Sequence, residues 1–102
     1  LYSTRAFPYG EIVKYLNYID EAYAAIEPMK KSDPAMYEKV YKRILAESLF
    51  PRFYAISLYP GNYTNTELTA MMKQFQKDCD TVGFTNHREN LAISGLWNEW
   101  GI

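Results

Sequence analysis

Ser48-Leu49-Phe50-Pro51-Arg52-Phe53-Tyr54-Ala55-Ile56-Ser57-Leu58-Tyr59 carries one charge in twelve residues. It continues a stretch whose pattern is helical. A helix that is apolar all round must be covered all round, and a chain of 102 residues has little to cover it with. The stretch therefore predicts a piece of a larger protein, with a neighbouring domain over part of this surface.

Upstream of it, Tyr37, Val40, Tyr41, Ile44 and Leu45 recur at the spacing of one helix face. Lys39, Lys42 and Arg43 fall opposite, with Glu47 at the flank. Ser32-Asp33-Pro34 marks the start: Asp33 suits a cap, and Pro34 suits the first helical position, where a missing N–H costs nothing. Pro51 costs roughly 3 kcal/mol inside a regular helix. Either one kinked helix runs from about Pro34 to Leu58, or two helices meet at Pro51. No Gly, Asn or Asp accompanies the proline to make a turn, which favours the kinked helix.

Before this element, Ile12, Tyr15, Leu16, Ile19, Tyr23 and Ile26 form one face of a first helix, which Pro28 stops or kinks. Residues 1–10 have no periodicity and close on the breakers Pro8-Tyr9-Gly10, so they are expected to be a linker or the tail of a preceding domain. After it, Tyr59-Pro60-Gly61-Asn62 is a turn. Thr64-Asn65-Thr66-Glu67 matches a capping box. Leu68, Met71, Met72, Phe75, Cys79 and Val82 then line a third helix, which Gly83 is placed to end. Phe84 to Ile102 is short and mixed, with a helical turn or two expected between Glu89 and Trp97. The expected fold is all-α: a small antiparallel three-helix bundle with a proline-kinked second helix, forming a single domain over residues 11–102.

Composition narrows the function. Hydrophobic residues at 48% and charged residues at 23% describe an ordinary globular chain. A net charge of −1 offers no basic field for nucleic acid or an anionic membrane. No apolar run approaches a membrane span, so membrane insertion is not expected. A lone cysteine, Cys79, excludes a disulfide framework and a cysteine-based zinc site. The excess is aromatic: ten tyrosines, whose apolar bodies and polar tips suit half-wet surfaces or the rim of a small core.

Candidate chemistry is sparse. Asn86-His87-Arg88-Glu89 is the densest polar group. His87 oriented by Glu89 would transfer protons, but a loop network of His87, Arg88 and Glu89 that pins the chain is the favoured assignment, because adjacent residues seldom converge on one atom. Asp78 and Asp80 point in different directions and are expected to be solvated charges. Cys79 falls on the core face as a small hydrophobe. The sequon Asn62-Tyr63-Thr64 carries no weight, since Thr64 already has a capping role. No cofactor and no metal is implied, and enzymatic activity is not expected. Phe50, Phe53 and Tyr54 project away from the main stripe of their helix. They are the best binding or interface candidates, whether they cover Trp97 and Trp100, dock a partner or stack on a ligand.

Three segments carry a family resemblance: the break at Glu27-Pro28, the helix from Tyr37 to Pro51, and Val82-Gly83-Phe84-Thr85-Asn86-His87-Arg88-Glu89. Together they resemble the C-terminal helical portion of an uncharacterised bacterial family of glycoside-hydrolase-like proteins, in which a (β/α) barrel precedes the helical part. The resemblance covers about residues 11 to 90. It implies a non-catalytic accessory domain of a periplasmic or extracellular protein, whose partner is an adjacent catalytic domain of the same parent chain. Any catalytic carboxylates would lie in that barrel. Two other functions fit the residues: an independent glycan-binding module that engages polysaccharide through exposed Tyr and Trp rings, and a helical protein-interaction domain or homodimer centred on Phe50 to Tyr54.

Overall fold

The structure is a computed structural model that describes residues 7–83 and 96–102. Among these residues every regular element is helical and none is a strand, as the pattern requires. Four α-helices follow one another: α1 (Tyr9–Ile26), α2 (Met29–Ser32), α3 (Pro34–Leu58) and α4 (Asn65–Val82). A 3₁₀ turn, Pro60–Asn62, joins the last two, and residues 96–100 add a helical turn.

The local signals act where the sequence places them. Asp33 accepts a hydrogen bond from the Met36 N–H at 3.2 Å, and Pro34 occupies the first position of α3. Thr64 Oγ1 accepts from the Glu67 N–H at 3.1 Å, while the Glu67 carboxylate accepts from the Thr64 N–H at 2.8 Å. Those bonds hold the Glu67 carboxyl below its ordinary range, so its part of the cap is present above the usual carboxylate pKa and is lost as pH falls through the depressed value. Gly83 ends α4 at φ 79°, a left-handed conformation in which a side chain is strained. Thr64→Ala removes the acceptor and is expected to lower stability by about 1 kcal/mol; a denaturant midpoint unchanged from wild type would contradict this.

Periodicity misplaces one boundary and misses one element. α1 begins at Tyr9, not Glu11. Pro8 stands at the cap in an extended conformation, and its carbonyl accepts from the Glu11 and Ile12 N–H groups. Proline's fixed φ suits this position as well as it suits a linker, so Pro8-Tyr9-Gly10 opens the helix. The single turn α2 lies too close to Pro28 for a pattern to form. Met29 nevertheless contributes to the core beside Ile19, Ile26 and Ile44.

α3 is the spine. At 1.5 Å per residue its length is about 37 Å, close to the longest dimension of the chain, 41 Å. It is helical through Pro51, which is buried within it. α1 and α4 each pack on α3 and have little contact with one another. Ile19 and Ile26 of α1 meet Ile44 of α3, with Tyr23, Tyr37 and Tyr41 around them. Because α1 has one main neighbour, its buried seam narrows to Ile12, Ile19 and Ile26; Tyr15, expected in the core stripe, is 46% exposed. Leu49 and Ile56 of α3 meet Phe75 and Cys79 of α4, with Phe53, Leu96, Trp97 and Trp100 packed against them. The apolar second half of α3 is thus enclosed largely by its own chain.

Candidate binding surfaces

The aromatic residues expected around Pro51 divide into three environments. Phe53 belongs to the core: its ring lies 6.3 Å from Trp100 and 6.4 Å from Phe75. Trp97 and Trp100 also contact Phe75, at 6.0 and 5.5 Å. Tyr54 is stacked on Phe7 at 4.1 Å. The chain around Phe7 is itself tied down, since the Tyr59 hydroxyl donates to the Phe7 carbonyl at 2.6 Å and the Tyr9 and Tyr63 hydroxyls bond at 2.8 Å. Phe50 remains 68% exposed. It borders a cleft of about 350 Å³ lined by Phe7, Ile12, Tyr15, Pro51 and Tyr54. Phe53, Trp97 and Trp100 thus come together as a packed cluster, and Phe50 alone of the five presents a largely open ring. His87, Arg88 and Glu89 lie outside the described residues.

A second surface was not foreseen. Because α1 and α4 flank α3 with little contact between them, a groove of about 730 Å³ opens there. Tyr23, Tyr37 and Tyr41 line one end, with ring centroids 5.2 Å apart for Tyr23 and Tyr41 and 5.8 Å for Tyr37 and Tyr41. Burial, then the neighbouring Tyr41, raises the Tyr23 hydroxyl above its ordinary pKa. Further along, Arg52 forms a 2.7 Å ion pair with Asp78 across the α3–α4 contact. Arg52 also donates to Ser48 Oγ at 3.2 Å, and Gln74 Nε2 donates to the other Asp78 oxygen at 3.0 Å. The guanidinium lies 5.7 Å from the Phe75 ring centroid.

This network corrects the expectation that Asp78 is a solvated charge: the residue is 8% exposed. The expectation compared Asp78 only with its neighbours on α4, whereas its partner comes from α3. A signal existed. Arg52 is the one charge in the apolar stretch, and a charge placed there needs a counter-ion. Asp80 is exposed, as expected.

Cys79 is 2% exposed beside Phe75. Burial pushes its thiol up to about 11, so the nucleophilic thiolate is scarce near neutral pH. Native protein at pH 8 should react with a disulfide reagent roughly a hundredfold more slowly than unfolded protein; equal rates would refute the buried placement. The neutral thiol favours the folded state. Its contribution is full below the unfolded pKa of about 8.5 and declines as pH climbs toward about 11.

Among the described residues, no group of three His, Cys, Asp or Glu side chains forms a metal-sized cluster, and no helix is long and apolar enough to cross a membrane. The chain matches no family model, no curated protein and no solved structure. Nothing in those comparisons bears on the glycoside-hydrolase-like resemblance.

Proposed function

We propose that this chain is a non-catalytic helical accessory domain that docks on a catalytic barrel of a carbohydrate-active bacterial protein through its Phe50 face. The observation that carries the docking role is the 68% exposure of Phe50 beside an apolar cleft. Tyr15 of α1 lines the same cleft and is 46% exposed, and contiguous apolar exposure commonly marks an interaction surface. The barrel, the carbohydrate substrate and a periplasmic or extracellular location rest on the family resemblance. An antiparallel three-helix arrangement with a bend at Pro51 belongs to the same proposal. Support for the arrangement comes from α1, whose later residues meet the early part of α3 while Ile12 lines the cleft at Pro51. Support for the bend is that proline lacks an N–H for the Glu47 carbonyl and clashes with it.

Joined to the barrel of its parent protein, the domain should melt at a higher temperature than alone. Phe50→Ser should abolish the rise while changing the isolated domain by no more than about 0.5 kcal/mol, because the side chain is already largely exposed. An unchanged melting temperature, or a parent sequence that encodes no barrel, would sink the proposal. A concentration-dependent dimer that Phe50→Ser dissociates would assign the face to a second copy instead.

A further inference from the structure

The groove between α1 and α4 has the size and lining of a small-ligand site: about 730 Å³, within the usual range of about 300–1,000 Å³. Apolar and aromatic side chains form about half of its lining; Ser48, Arg52, Gln74 and Asp78 supply polar groups from α3 and α4, and Asp20, Glu27 and Lys30 add charges from α1, its C-terminal cap and α2. Four classes of occupant can be weighed against this chemistry.

Among the described residues that line the groove, an anion finds no unpaired cation. Lys30 is paired with Glu27 at 3.1 Å and Arg52 with Asp78 at 2.7 Å, while Asp20 and Glu27 keep carboxylates at the rim. A cation held between aromatic faces finds no room, because centroid spacings of 5.2 and 5.8 Å leave no gap between the rings. The outer ring, Tyr37, already carries the Lys30 ammonium 5.5 Å from its centroid. An apolar helix laid along the groove would cover Arg52, Gln74 and the tyrosine hydroxyls and leave their unused hydrogen-bonding capacity without partners, at a cost for each group. Among the described residues, Ser48 and Asp78 engage two of the five N–H groups of Arg52, and the Gln74 carbonyl oxygen is an unused acceptor.

A neutral ring bearing hydroxyls fits all of these terms. It has a face to lay on tyrosine, hydroxyl donors for Gln74 Oε1, hydroxyl acceptors for the remaining Arg52 N–H groups, and no charge to desolvate. We propose that this groove is a binding site for a neutral saccharide, stacked on the groove side of Tyr23, with Tyr41 and Tyr37 backing that ring, and hydrogen-bonded to Arg52 and Gln74. The site uses no residue of the Phe50 face, so it stands or falls separately from the docking function.

The test is a ¹⁵N NMR titration of the chain Leu1–Ile102 with cellotetraose, xylotetraose and mannotetraose, with trigalacturonate and choline as charged comparisons. Saturable shifts are expected at Tyr23, Tyr37, Tyr41, Ser48 and Gln74 with at least one neutral sugar. Tyr23→Ala should weaken that binding about fivefold to tenfold, the loss of the stacked ring. Gln74→Ala, an exposed position that should leave the fold intact, should weaken it about fivefold, the loss of one hydrogen bond. Silence with all three neutral sugars overturns the proposal. So does stronger binding of choline or trigalacturonate, shifts confined to the Phe50 cleft, or full affinity in Gln74→Ala and Tyr23→Ala together. The melting experiment with the barrel reads the docking face alone and is untouched by any of these outcomes.

Discussion

Phe75→Ala is expected to destabilise the chain by about 3–5 kcal/mol, the largest effect of any single truncation. Phe75 is 5% exposed and sits where α3, α4 and residues 96–102 meet. Its ring contacts Phe53, Trp97, Trp100 and the Arg52 guanidinium at once. Removing it opens a cavity that a surrounding cluster of large rings cannot close by small rotations. For a chain of this size the loss corresponds to a fall in melting temperature of upwards of about 15 °C. Two spectroscopic consequences should accompany it. Tryptophan emission should shift to the red as Trp97 and Trp100 gain water, and near-ultraviolet circular dichroism should lose intensity. A loss under about 1 kcal/mol with unchanged emission would show that the final residues do not pack on α4 as described.

The contrast between what the sequence disclosed and what it hid follows from the range of each interaction. Asp33, Thr64 with Glu67, and Gly83 act within one helical turn of their own position, so their roles can be read from neighbours three residues away. The continuity of α3 through Pro51 was legible for a similar reason: a turn needs Gly, Asn or Asp, and none is nearby. Coverage of the apolar half of α3 was not legible, because it depends on which helix crosses which. The same stretch that announces a missing neighbour proves to hold Phe53 under Trp100 and Tyr54 under Phe7, with Phe50 left over. Tyr15 shows the converse, a residue in register with the core stripe that a single-neighbour helix leaves half exposed. The tyrosine groove was invisible for a further reason. Tyr23, Tyr37 and Tyr41 read as core-face residues on two separate helices, and only the gap between α1 and α4 gives them an open side.

The Arg52–Asp78 pair should behave non-additively in a double-mutant cycle. Arg52→Met alone leaves the Asp78 carboxylate largely buried without its counter-ion, and Asp78→Leu alone strands the guanidinium against α4. Each single change is expected to cost about 3 kcal/mol, as broken buried ion pairs do. The pair of changes together should cost far less than their sum, and about 1 kcal/mol or less in total, because two apolar side chains bring no desolvation penalty to the same space. The side chains keep 20% and 12% exposure, so some water reaches the pair and the single effects sit at the lower end of the range for buried pairs. If the cycle closes in this way, the pair adds little net stability. Its value is then positional: it fixes the rotation of α4 on α3 and presents Arg52 and Gln74 toward the groove. That role has its own readout. The double variant should retain a near-wild-type melting temperature while losing saccharide-induced shifts at Gln74 and Ser48. Single costs that simply add would show instead that the two charges are screened independently by water, and that the α3–α4 register is set by Leu49, Ile56, Phe75 and Cys79 alone.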